Sequence, residues 1–215
     1  MLVPQTCHGP YRQGREGDAL TEKRLLRTPL DPNTLKFLKI GDVLYLSGRI
    51  FTARDQAHIH MLKNGIPDGL ETKGLAVYHC GPIVKQKDGA RVITSAGPTT
   101  SMRMESLEPE FLEMSGALAV IGKGGMGPDT LRTLEKLGAV YLSITGGLGA
   151  LAMKKLGPAR NVFLLEELGP VEAVWEFDAV EFGPLVVTMD SHGNSLHEAV
   201  SAVTGENLAR ILDKA

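Results

Sequence analysis

The stretch Gly97-Pro98-Thr99-Thr100-Ser101-Met102-Arg103 gathers three hydroxyl side chains and a guanidinium directly after the β-branched run Val92-Ile93-Thr94. If it continues as a helix toward Glu105, Arg103 lies four residues after Thr99 and three after Thr100 and shares their face. The N–H groups of a helix start, several hydroxyls and a cation converging on one point suit a small anion, and a carboxylate fits well. The same residues also suit a plain helix cap with Arg103 in solvent, so other stretches have to decide.

Two further stretches carry compatible chemistry. Arg54 and His58 are four apart with Asp55 between them, so a cation, an acid and an imidazole emerge together at a strand-to-helix turn; an exposed, charged first turn is the plainer alternative. His58 and His60 are two apart and do not share a helix face, so no metal site is expected. Lys123 stands within the glycine loop 122–127, where an ammonium can be aimed at a bound anion or simply be solvated. Gly122, Gly124 and Gly127 satisfy GxGxxG, but Ile144-Thr145-Gly146 stands where a dinucleotide fold places its ribose-binding acid, so nucleotide binding is not expected. Glu172 could orient a site residue or face solvent.

The elements that must position these residues follow from pattern. Asp31-Pro32 marks a short helix running to Gly41-Asp42, followed by a strand over 43–47 and a helical segment from 53. Residues 75–80 read as a strand in which His79 and Cys80 point to opposite faces as ordinary sheet residues. Residues 83–84 and 91–93 form a hairpin with its turn at Asp88-Gly89. An amphipathic segment over 107–114 precedes strand 117–121, the glycine loop, helix 128–137, strand 139–144, Thr145-Gly146-Gly147 and a helix to about 156. That order implies a parallel unit with both glycine loops at the carboxyl edge of the sheet, where α/β folds place ligands. Strands over 171–177 and 180–189 and a weakly periodic segment from Leu196 close the chain.

At 215 residues, 43% hydrophobic and 22% charged, the composition is that of an ordinary globular protein. Residues 1–20 read as an irregular arm and 21–215 as one domain. The net charge of -2 gives no footprint for nucleic acid or an anionic membrane. No signal pattern or membrane span is evident, and a cytoplasmic setting is expected. Only Cys7 and Cys80 are present, which excludes a disulfide framework, a CxxC metal site and the thiolate set of an iron–sulfur cluster from this chain alone.

Taken in order, Gly41-Asp42, Ser47-Gly48, the Arg54-Asp55-x-x-His58 motif, Gly81-Pro82, the Gly97-Pro98-Thr99-Thr100-x-x-Arg103 motif, Ile121-Gly122-Lys123-Gly124, Thr145-Gly146-Gly147 and Glu172-Ala173-Val174-Trp175 closely resemble one family. It is the β subunit, or equivalent C-terminal domain, of class I iron–sulfur fumarases and L-tartrate dehydratases. The resemblance implies an α/β fold, a swivelling β/β/α domain with mixed sheets and flanking helices. It also implies a hydro-lyase that hydrates fumarate to malate reversibly and is active only with its α subunit. L-tartrate dehydration, or a non-catalytic anion-binding or assembly module, is the alternative. An oxygen-labile four-iron, four-sulfur cluster would be bound by cysteines of the α subunit and not by this chain. A homodimer, or a heterotetramer of two α and two β chains, is expected. By the same resemblance Arg54, Arg103 and Lys123 would clamp the substrate carboxylates. Thr99 would be the general base, Thr100 a carboxylate ligand, and Asp55 and His58 would orient Arg54.

Overall fold

Ile50, Tyr78, Ile121 and Leu142 are fully buried near the carboxyl ends of four neighbouring parallel strands and mark the centre of the molecule. The computed structural model describes residues 24–87 and 90–212. Its elements are β1 (Arg24–Arg27), α1 (Pro32–Leu35), β2 (Val43–Thr52), α2 (Asp55–Asn64), β3 (Ala76–Tyr78), β4 (Ile83–Lys87), β5 (Ala90–Ser95), a 3-10 helix (Ser101–Met104) and α3 (Glu108–Ser115). There follow β6 (Ala119–Gly122), α4 (Pro128–Leu137), β7 (Val140–Ser143), α5 (Gly149–Lys155), β8 (Leu156–Phe163), α6 (Leu165–Leu168), β9 (Val174–Met189) and α7 (Leu196–Leu212). The expected arm 1–20 and the Asp88-Gly89 turn lie outside the described residues. No helix among them is long and apolar enough to cross a membrane.

The main sheet runs β1-β2-β3-β6-β7-β9-β8, parallel from β1 to β7. Strand β9 is antiparallel to β7 and β8 and also to β2, so the hydrogen-bonded path from β2 through β3, β6, β7 and β9 returns to β2. Period-2 alternation sorts the side chains of this closed path into two cores. Leu44, Leu46, Ile50, Tyr78, Ile121, Leu142, Trp175, Phe177 and Phe182 fill its inside. Phe51, Val77, Val120, Tyr141 and Met189 face outward against α2, α3 and α4, through Ala57, Met61, Phe111, Leu112, Leu131 and Leu134. Mixed sheets flanked by helices, an α/β fold, agree with the sequence reading; the hairpin β4–β5 forms the second sheet.

Three elements differ from expectation. The two C-terminal strands are one 16-residue strand, β9, whose ladder to β2 runs on through Asp178 and Ala179, where a gap between two strands was expected. Strand β8 contains Gly157-Pro158, a pair that signals a turn locally, and was hidden by it. The segment after Thr100 is not an α-helix: Thr100 is extended, and only a four-residue 3-10 helix follows.

Candidate active site

The carboxyl ends of β2, β3, β6 and β7 deliver the chain segments singled out by sequence to one edge. Arg54 immediately precedes α2 and is half-buried; its Nη2 lies 3.1 Å from Glu172 Oε1 in the loop before β9. The other carboxylate oxygen of Glu172 accepts the Gln56 backbone N–H at 3.2 Å, so Glu172 orients Arg54, as one sequence alternative allowed. A side chain at Gly81 would meet Arg54 Nη1 at 2.8 Å and the Val171 carbonyl at 2.6 Å, which reserves that position for glycine. Arg54 Nε is buried and has no hydrogen-bond partner among the described residues.

The threonine segment is stitched to its neighbours by backbone. The Thr99 N–H donates to the His79 carbonyl at 2.7 Å, Thr100 forms a parallel bridge with Lys123, and the Ser101 N–H donates to the Lys123 carbonyl at 3.1 Å. Thr99 and Lys123 are half-buried and Thr100 is exposed. Lys123 lies over the second glycine loop, because a Cβ at Gly146 would sit 2.9 Å from Lys123 Cδ. Arg103 pairs with Asp55, which joins the start of α2 to the 3-10 helix.

The N-terminus of α4, where a GxGxxG loop would hold a phosphate, is already filled from within. Glu105 Oε2 accepts the Gly127 N–H at 2.6 Å and the Thr130 hydroxyl at 2.7 Å, while Oε1 accepts the N–H groups of Asp129 and Thr130 at 3.1 and 3.2 Å. A carboxylate neutralises the positive helix end and satisfies its free donors. Gly122 serves packing: a Cβ there would fall 1.8 Å from Ser101 Oγ. The glycine pattern thus belongs to the contact between the 3-10 helix and the Lys123 loop, in line with the expectation against a dinucleotide.

Beneath this edge lies a sealed polar cluster. His58, His79 and Glu108 are 0% exposed, and Glu108 Oε2 is 3.1 Å from His58 Nε2 and 3.0 Å from His79 Nε2, out of line for directed hydrogen bonds. His58 Nδ1 is 2.8 Å from the Arg54 carbonyl and His79 Nδ1 is 2.9 Å from Ser101 Oγ, which accepts the Tyr141 hydroxyl at 2.8 Å. A carbonyl only accepts, so His58 Nδ1 carries a hydrogen, and a favourable contact between Nε2 and a carboxylate requires a second one. Burial pulls the His58 pKa down, but the charge and contacts of Glu108 outweigh it and the net shift is upward. Burial raises the Glu108 pKa, and the two histidines more than reverse this, holding it below the usual carboxylate range.

Residues 10–200 match the family described as Fumarase C-terminus. The chain belongs to that family. An Escherichia coli strain K12 protein named L(+)-tartrate dehydratase subunit beta is 40% identical over 174 residues, 81% of this chain and 86% of that protein. A Methanocaldococcus jannaschii chain with the provisional name L(+)-tartrate dehydratase subunit beta is 44% identical over 186 residues, 85% of this chain and 95% of its own length. A Geobacillus stearothermophilus protein, provisionally a class I fumarate hydratase, is 38% identical over 193 residues, but these are only 37% of its length.

Within this member of the Fumarase C-terminus family, the structure brings Arg54, Asp55, Thr99, Thr100, Arg103 and Lys123 to one edge but corrects how they are held. Asp55 pairs with Arg103 rather than Arg54. His58 binds the Arg54 carbonyl and not its guanidinium. His79 is no ordinary sheet residue, and neither it nor Glu108 was singled out by sequence; the one available signal was an acid opening the otherwise apolar face of α3. Cys80 is 1% exposed, and burial pushes its thiol up to about 12 against the opposing effects of Arg54 and Tyr78.

Proposed function

We propose that this chain is the β subunit of a two-subunit iron–sulfur hydro-lyase that adds water to, or removes it from, a four-carbon dicarboxylate. The observation that supports this reading is the placement of Arg54, Thr99, Thr100, Arg103 and Lys123 on segments that follow separate strands and are tied together by backbone bonds and the Asp55–Arg103 pair, in a chain whose relatives named as β subunits align over most of their length. A dicarboxylate needs at least two cations, and Arg54, Arg103 and Lys123 supply them. Arg54 Nε, a buried donor without a partner among the described residues, is suited to a carboxylate oxygen.

Thr99 is the proposed general base and Thr100 the carboxylate ligand. A threonine hydroxyl is a weak base at neutral pH, so its ionised form must be stabilised by the neighbouring cations. The expected contribution from an α-helix start falls away, because only a four-residue 3-10 helix, Ser101–Met104, follows the threonines. Asp55 positions Arg103 and Glu172 positions Arg54, so both guanidiniums present their remaining donors without a search. A four-iron, four-sulfur cluster on the partner α subunit would supply Lewis acidity toward the substrate hydroxyl. Consistent with that division, the one described cysteine here is sealed and protonated.

Between fumarate and L-tartrate, the relatives at 40–44% identity carry the tartrate name and support L-tartrate as the first substrate to try, with fumarate second. The test is anaerobic co-expression with the α subunit and assay of fumarate, malate and L-tartrate under argon. Turnover that needs both chains and collapses in air is expected, and Arg103→Ala or Lys123→Ala should lower it by several orders of magnitude. An intact cluster with no turnover on any of the three would overturn the reading in favour of a non-catalytic assembly module.

A further inference from the structure

We infer that Glu108 is a positioning residue that holds the Arg54 segment and the Thr99–Ser101 segment in fixed relation through His58 and His79. This rests on the proposed hydro-lyase reading and assigns roles to Glu108, His79 and Ser101 within it. One carboxylate oxygen contacts both imidazoles, which come from separate elements, α2 and the end of β3. The His58 arm ends on the Arg54 carbonyl, which accepts both the His58 ring N–H at 2.8 Å and its backbone N–H at 2.9 Å. The His79 arm ends on Ser101 Oγ, while the His79 carbonyl accepts the Thr99 N–H and the Ser101 N–H reaches the Lys123 carbonyl. Glu108 is therefore separated from the Arg54 backbone by one side chain, His58, and from the Ser101 backbone by two, His79 and the Ser101 hydroxyl, with Lys123 reached through the latter.

The protons balance without any further ligand. Tyr141 donates to Ser101 Oγ, leaving the Ser101 hydroxyl to donate to His79 Nδ1, so that the His79 hydrogen sits on Nε2 and faces Glu108. His58 takes the second proton and is an imidazolium, the countercharge to Glu108. A metal ion fits less well. Among the described residues only these three His, Cys, Asp or Glu side chains converge, one short of the four of a structural zinc site, and 0% exposure denies the open position of a catalytic one. The groups facing His58 are Glu108 from α3, His79 beyond β3, and Arg54 and Asp55 at the head of its own helix; Tyr141 from β7 faces Glu108.

The experiment compares wild type, Glu108→Gln and Ser101→Ala, each as the full chain reconstituted with the α subunit. Expected for Glu108→Gln is a folded chain, a fall in kcat/KM of about 100-fold, and an alkaline limb of the pH profile moved to lower pH, because His58 loses the carboxylate that holds its second proton. Nitrogen-15 NMR of the β chain should show His58 protonated at both ring nitrogens in wild type at pH 7 and at Nδ1 alone in Glu108→Gln. Ser101→Ala should lower kcat/KM while leaving the His58 signals unmoved, and it decides the matter if Glu108→Gln fails to fold. A folded Glu108→Gln with wild-type turnover and an unmoved pH limb would overturn the inference, as would stoichiometric metal in the wild-type chain that the variant loses. A wild-type complex without turnover whose His58 signals behave as expected would sink the hydro-lyase reading and this role with it, and would leave the buried ion pair standing as structure.

Discussion

The Asp55 carboxylate and the Arg103 guanidinium, 48 residues apart in sequence, form an ion pair that spans the gap between α2 and the 3-10 helix. The pair is lopsided: the arginine side chain is 52% exposed and the aspartate 20%. Exposed pairs add little to stability, so its value is orientational, holding the Arg103 guanidinium against the start of α2. Asp55→Asn should cost less than about 1 kcal/mol in urea unfolding. The same variant should lower kcat/KM of the reconstituted complex by about 10-fold to 100-fold. Equal losses in both assays would show that the aspartate is merely structural.

Glu105 is a second internal tie. It accepts four hydrogen bonds at the head of α4, and Glu105→Ala should reduce unfolding free energy by about 2 kcal/mol through loss of that cap. Chemical denaturation of the isolated chain measures this directly. Restoration by Glu105→Asp would be incomplete, since the shorter side chain cannot reach all four donors.

Gly122 and Gly146 look alike in sequence and should behave differently. A methyl at Gly122 would collide with buried Ser101 Oγ, and Gly122→Ala should cost about 3 kcal/mol or prevent folding. At Gly146 the obstacle is the flexible stem of Lys123, so Gly146→Ala should fold normally and lose activity by displacing the lysine. Thermal melting beside turnover separates the two cases.

The buried pair of Glu108 and His58 gives stability a definite pH window. Glu108 has a folded pKa below its ordinary 4.5, so its contribution is full above that value and is lost as pH falls through the folded one. His58 has a folded pKa above its ordinary 6.5, so its contribution is full below 6.5 and is lost as pH rises through the folded value. Urea midpoints should therefore plateau between about pH 4.5 and 6.5 and fall on both sides. In His58→Gln the alkaline fall should be the smaller.

Much of the fold was legible because the central strands are apolar on both faces and helix α4 carries its own punctuation, Pro128 at the start and Gly138 just past the end. The site was legible as residue types. Arg54, Arg103 and Lys123 are cations set among strand ends, and that pattern survives in the primary structure. What could not be read was pairing. Nothing local tells Asp55 to choose Arg103 over adjacent Arg54, because that choice is made by the packing of α2 against the 3-10 helix. Glu108 was hidden because a glutamate in the first turn of a helix is normally a solvated partner for the helix dipole, and here the partners come from two distant elements. Strand β8 was missed because its Gly-Pro pair signals a break locally, and β9 was split at Asp178-Ala179, where the ladders to β2 and β8 carry the chain through.

The closed path of strands carries a consequence for biogenesis. Strand β2 ends at the site, yet its longest partner is β9; Arg49 meets Glu176 across 127 residues of chain. A nascent chain that has just made Arg54 has no means of closing the wall beside it until the last strand emerges. Pairings this distant in sequence slow folding toward milliseconds or seconds and leave strand edges open while they wait. The half-made protein would expose the β9-facing edge of β2 with an arginine at its tip, and a growing polypeptide in that condition is a natural client for a chaperone that masks strand edges.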